Sequence, residues 1–127
     1  LPGSAVRGCA MSLDAARLAD LTRRAEADLQ AAAGGAAVCT LTRAGTPAPA
    51  VKYAEGRWAA LREVDRTARR QGTDLLTTAR DAAEAWTRAR TEFLARGAGP
   101  DWLAYRAGGI DALTELVDAD GTGSAGL

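Results

Sequence analysis

The chain holds 127 residues, 47% of them apolar and 25% charged, with 16 Lys and Arg against 16 Asp and Glu and no histidine. That length suits one domain whose core can cover roughly two-thirds of the surface its unfolded chain exposes, and the apolar content is too high for a disordered chain. No apolar run approaches the ~20 residues of a membrane span, and the commonest general base and metal ligand is missing. The 31 alanines and 15 arginines favour helix, alanine being the best intrinsic former and arginine close behind. Arginine in place of lysine (Lys52 is the exception) is also what a GC-rich bacterial genome produces by codon usage, so it does not by itself argue for phosphate recognition.

Residues 1–11 open Leu1-Pro2-Gly3-Ser4 and lack the apolar stretch of a signal peptide. They are expected to be a disordered or expression-derived leader ahead of Met11. A single helical domain is expected over 12–120, and the Gly/Ser-rich 121–127 reads as a flexible tail. The first helix is predicted over about 13–33, with Ser12 as N-cap and Asp14 in the first turn, where the helix dipole favours an anion. Leu18, Leu21, Ala25, Leu29 and Ala32 recur at helical spacing, Asp20 and Arg24 make an i,i+4 pair, and Gly34-Gly35 ends the run. Cys9 and Cys39 lie 30 residues apart without metal-ligand spacing and read as reduced thiols of a cytoplasmic protein.

Residues 36–50 read as an extended or short β-like connector, since Val38-Cys39-Thr40 is β-branched enough for a strand and Pro47 and Pro49 cannot continue a helix. The stretch to Val64 could complete a β-hairpin around Glu55-Gly56. Ala54, Trp58, Leu61, Val64 and Ala68 nevertheless follow a helical stripe, so a helix over about 51–70 is preferred, with Gly56 its weak point at about 1 kcal/mol relative to Ala. Gln71-Gly72-Thr73-Asp74 ends it: Gly72 suits the left-handed position, Thr73 is the expected cap and Asp74 complements the next dipole. So short a break predicts antiparallel neighbours.

The third helix, about 74–96, carries Leu75, Ala79, Ala82, Trp86, Ala89 and Phe93 at steps of 4, 3, 4, 3 and 4, the seam of a coiled-coil-like packing. Glu84–Arg88 and Glu92–Arg96 are i,i+4 pairs on its surface. Gly97 to Pro100 stops it, and a fourth helix over about 100–118 presents Trp102, Leu103, Ile110, Leu113, Leu116 and Val117, with a kink or split expected at Gly108-Gly109. The fold class is therefore all-α, a small antiparallel bundle of about four helices.

Four groups of residues invite a functional reading. Segment 43–70 carries a net charge of +4 and segment 97–127 one of −4, so the neutral total conceals a dipolar chain. Arg62, Arg66, Arg69 and Arg70 project within about 100° on one helix face and could follow phosphates; they could equally be a solvated face, or be neutralised by the acidic fourth helix. A helix-turn-helix around Gly72 would make the third helix the reader, and its core-like seam suits that role poorly. The run Lys52-Tyr53-Ala54-Glu55-Gly56-Arg57-Trp58 could hold a small anion, against a plainer reading of core Trp58, half-buried Tyr53 and solvated charges. Asp65 projects toward the apolar side, and Arg69 is its expected partner. Trp58, Leu61, Trp86, Phe93 and Trp102, with Tyr53, are candidates for core, interface or a pocket lining.

No phosphate loop, nucleophile elbow or calcium loop is present, and Asp118-Ala119-Asp120-Gly121 lacks the later ligands calcium needs. No catalytic residue, cofactor, metal or membrane association is therefore expected. The reading that follows is a non-enzymatic helical protein–protein interaction or regulatory module, homodimeric because an Ala-rich seam buries little area alone. Its alternative is a nucleic-acid-associated accessory protein using the Arg62–Arg66–Arg69–Arg70 face.

Overall fold

The structure, a computed structural model, describes the backbone of residues 2–34 and 49–125 and the side chains of 14–34 and 49–118. Four helices follow one another: α1 (Pro2–Ala33), α2 (Pro49–Gln71), α3 (Leu75–Ala95) and α4 (Pro100–Ala125). There is no strand among the described residues, and no helix there is long and apolar enough to cross a membrane. The chain is the small all-α bundle that its alanine content and helical spacing predict. Residues 49–64, open to a hairpin reading, are helical. The connector expected at 36–50 lies, but for its last two residues, outside the described residues, as do Cys39 and the side chains of 1–13 and 119–127.

Two helices run further than expected. α1 starts at Pro2 instead of after Ser12, and α4 continues to Ala125 instead of stopping near 118. α1, α2 and α4 all begin on a proline, whose missing N–H is one that a first helical turn leaves unbonded anyway. At the α2–α3 turn, Gly72 has φ 64° and the Thr73 N–H donates to the Ala68 carbonyl at 3.2 Å, the left-handed ending that the sequence calls for. The cap of α3, however, is Asp74 and not Thr73. Its carboxylate accepts the Thr77 N–H at 3.0 Å and the Thr77 hydroxyl at 3.1 Å, leaving Thr73 to bond the Thr78 hydroxyl at 2.8 Å. A charged acceptor three residues before the free N–H satisfies that donor and the dipole together.

The core takes three residues from each helix: Leu18, Leu21 and Ala25; Ala60, Leu61 and Val64; Ala79, Ala82 and Trp86; and Ala112, Leu113 and Leu116. Of the seam predicted on α3, Ala79, Ala82 and Trp86 are buried, while Leu75, Ala89 and Phe93 are half-buried. The turn at 72–74 sets α2 and α3 antiparallel, yet these neighbours touch only lightly. α2 packs most extensively against α4, which in turn covers α3, and α1 lies mainly along α2.

Two glycines explain the preference for α4. A Cβ on Gly56 would overlap the Tyr105 carbonyl, and one on Gly108 would overlap the Tyr53 carbonyl, so the two backbones are in direct contact. The Lys52/Trp102, Tyr53/Asp111 and Arg57/Glu115 pairs ascend together, so α2 and α4 run parallel. Gly56/Tyr105 and Tyr53/Gly108 are in crossed order and mark where the axes cross. Gly108-Gly109 does not split α4, because both glycines are filled from outside: Gly108 by the α2 backbone and Gly109 by the Trp86 ring. Gly56 is likewise a contact point instead of a weak point. Gly56→Ala should therefore destabilise the protein by about 3 kcal/mol in urea unfolding, reversing the gain that helix propensity alone implies. Gly99→Ala, with open space around it, should stay within about 0.5 kcal/mol of the parent.

Candidate interaction surfaces

The crossing carries a polar seam on its flank. The Tyr53 hydroxyl donates to Asp111 Oδ2 at 2.5 Å, and Arg57 pairs with Glu115 at 2.5 Å, its side chain only 19% exposed. Burial, followed by the Asp111 carboxylate, pushes the Tyr53 hydroxyl above its usual value despite the opposing Arg57. Burial also works against the Arg57 charge, but Glu115 and Tyr53 outweigh it and its pKa lies above the ordinary value. On α1, hydrogen bonding from Arg24 holds Asp20 below the usual carboxylate range, through a 2.9 Å pair. The run 52–58 is thus engaged within the chain: Lys52 pairs with Glu55 at 3.0 Å and sits 5.3 Å over the Trp102 ring, and Tyr53 and Arg57 grip α4. Of the two cations in the first half of α2, Arg57 is neutralised by the acidic fourth helix and Lys52 from within α2.

The acidic fourth helix does not reach the second half of α2. Arg62, Arg66, Arg69 and Arg70 are all exposed. Arg69 pairs with Asp65 at 2.9 Å, as expected, and the Arg62 guanidinium lies 5.4 Å over the Trp58 ring. Arg66 and Arg70 have no ion-pair partner among the described residues. The steps Arg62–Arg66 and Arg66–Arg70 set like charges at i,i+4, each unfavourable by about 0.2–0.5 kcal/mol. The dipole of α2 offsets this only in its last turn, at Arg69 and Arg70. On the α1 side the ridge borders a shallow groove walled by Ala15, Leu18, Ala19 and Thr22, none of them charged.

The aromatic candidates divide among three places. Trp86 is buried and its indole N–H donates to Glu63 at 3.1 Å. It joins Tyr105 at 5.3 Å between centroids, and Tyr105 meets Trp102 edge-on at 5.9 Å. Arg106 covers the group, 4.6 Å over Trp86 and 5.2 Å over Phe93. Leu61 is core, whereas Trp58 is half-buried on the arginine side and Tyr53 belongs to the polar seam. Phe93 and Trp102 border one pocket together with Arg96 and Ala98, while Trp58, Trp86 and Tyr53 lie apart from it. Trp102, expected on the apolar side of α4, is 51% exposed, and Leu94 is 48% exposed.

A further surface emerges on the outer flank of α3 and α4. Leu103, Ile110 and Val117 stand seven residues apart on α4 and are half-buried. On α3, Leu76, Ala83, Thr87 and Leu94 follow at steps of 7, 4 and 7, the first two half-buried and the others exposed. Both stripes lie about 100° round from the core-facing seams at 3.6 residues per turn. Neither Glu84–Arg88 nor Glu92–Arg96 closes as an ion pair, so the charges beside these stripes stay available. Ile110 and Val117, expected on the apolar side of α4, do pack against the core; the seven-residue repeat they share with Leu103 places all three along one edge of it.

Among the described residues no group of three or more Cys, Asp or Glu is placed to hold a metal ion. Comparison with family models, with curated proteins and with solved structures finds nothing that matches the chain. The seam makes a direct prediction. A tyrosine whose pKa is raised on folding stabilises the native state fully below the unfolded value near 10, and that contribution fades as pH rises through the folded value. Tyr53→Phe should cost about 1 kcal/mol at pH 7 and flatten the loss of stability above pH ~10, as read by denaturant unfolding across pH.

Proposed function

We propose that the protein is a non-enzymatic helical interaction module that works as a homodimer, joined through the outer flank of α3 and α4. The observation that carries this reading is the pair of largely apolar stripes, Leu76–Ala83–Thr87–Leu94 and Leu103–Ile110–Val117: Ala83, Ile110 and Val117 flank the core yet stay only half-buried, and Leu94 is exposed. A helix with two apolar faces has one to spend on its own bundle and one to offer to another helix. Completing the burial of a Leu, Ile or Val side chain contributes up to about 1.5–3 kcal/mol, so a few such residues can outweigh the costs of association.

The charges beside the stripe favour a second copy as the partner. Arg80, Glu84, Arg88, Arg90, Glu92 and Arg96 bring both signs to the surface of α3 and have no ion pair within the described chain. A two-fold interface places the same rim against itself, so mixed signs can pair, whereas a rim of one sign would call for an oppositely charged partner. The alanine-rich core points the same way, because small side chains bury little area within one chain.

Light scattering on the full chain should give a dimer mass at micromolar concentration. The double substitution Thr87→Glu and Leu94→Glu, at two exposed positions, should convert it to a monomer with the same helical circular dichroism, and its unfolding midpoint should no longer depend on protein concentration. A parent chain that stays monomeric at high concentration, or a double variant that stays dimeric, would overturn the reading.

A further inference from the structure

We infer that the Arg62–Arg66–Arg69–Arg70 ridge of α2 docks the phosphate backbone of a nucleic-acid duplex. The ridge is a separate face from the outer flank of α3 and α4, so this inference does not depend on self-association.

The ridge is a row of four exposed guanidinium groups, with successive steps of 4, 3 and 1 residues along one face. At about 1.5 Å rise per residue the row spans about 12 Å of helix. The neighbouring charges leave it positive. Asp65 is taken by Arg69; Glu63, on the α3 side, accepts the Trp86 indole; Asp74 is committed to the cap of α3; and α1 presents Ala15, Ala19 and Thr22. Four cations therefore stand against two carboxylates on the same stretch of α2, Asp65 and Glu63, in a chain whose total charge is zero.

The arrangement is also unfavourable to the isolated helix, since Arg62, Arg66 and Arg70 repel one another at i,i+4 and nothing within the described chain bridges Arg66 or Arg70. A local conflict retained on the surface of an otherwise consistent helix marks a site used for something else. Arg57, Arg24 and Arg106 are by contrast held by an ion pair across helices, an ion pair along one helix and aromatic rings, and the exposed arginines of α3 have acidic residues interspersed among them.

The partner is a duplex in preference to an acidic protein because the ridge has charge without an apolar centre. A protein interface needs a dehydrated core patch, and the large apolar groups beside the ridge are none of them exposed: Trp58 is half-buried and covered by Arg62, Leu75 is half-buried and Leu18 is core. Guanidinium groups donate in a planar fork that matches phosphate, and a phosphate row is met by cations alone.

The test is fluorescence anisotropy of a labelled mixed-sequence duplex titrated with the full chain. Binding should appear at about 50 mM salt and weaken roughly 100-fold by about 200 mM, the slope that four neutralised phosphates imply. Arg66→Gln with Arg70→Gln should abolish it with the unfolding midpoint little changed, since relief of like-charge repulsion is offset by the lost dipole interaction at Arg70; Arg88→Gln with Arg90→Gln on α3 should leave it intact. No binding at low salt, or loss of binding equal in the two double variants, would overturn the inference. So would tight binding of polyglutamate with none of the duplex, which would assign the ridge to an acidic protein. The double variant Thr87→Glu and Leu94→Glu should still bind, which separates failure here from failure of the dimer reading.

Discussion

The bundle depends on one contact, the meeting of the α2 and α4 backbones at Gly56 and Gly108. Alanine-rich helices bury little apolar area per residue and gain by lying close, and closeness is limited by the Cβ atoms between them. Removing Cβ at one position on each helix lets carbonyl oxygens of Tyr53 and Tyr105 rest where side chains would otherwise stand. Everything near the crossing follows from that approach. Tyr53 and Arg57 come within reach of Asp111 and Glu115, Lys52 comes over Trp102, and Gly109 turns its bare face to Trp86. The tightest pair in the fold is therefore not the pair joined by the tightest turn.

The same contact divides the charge of the chain. The first half of α2 has the acids of α4 beside it, which take up Arg57 by ion pairing and Tyr53 by hydrogen bonding. The second half lies alongside α1, which offers alanine, leucine and threonine, and its arginines remain outward. A net charge of zero thus conceals two local outcomes, compensation at the crossing and an uncompensated ridge beyond it. This dipolar layout matters for association, because steering depends on local potential more than on the total.

Much of the architecture is legible in the sequence because periodicity and punctuation are local signals. The 4-3 seam of α3 identifies its buried face, Gly72 and Gly97-to-Pro100 mark the turns, and Asp65 finds Arg69 four residues on. What the sequence hides is pairwise and non-local. Gly56 and Gly108-Gly109 read as defects in isolated helices and become assets only once a second helix fills the space above them. Thr73 and Asp74 are both good caps, and only the backbone decides that Asp74 sits at the residue whose carboxylate reaches Thr77. Trp102 counts as apolar in any pattern, but stands half outside because Tyr105 and Arg106 already occupy the ground next to Trp86. The arginine face was legible as a face; whether anything would cover it was not, since that answer lies in α1 and α4.

The slight contact between α2 and α3 has a kinetic side. The hairpin that forms fastest in a helical protein is usually the one with the shortest loop, and here that hairpin gains little on closing. The first large gain comes when α3 and α4 close across the short turn at 96–99, and the largest when α4 reaches α2 across a stretch that includes all of α3, where the entropy of closure must be met before the contacts reward it. The rate-limiting step of folding is thus expected to be long-range docking of two parallel helices, with α3 carried in as the strut between them.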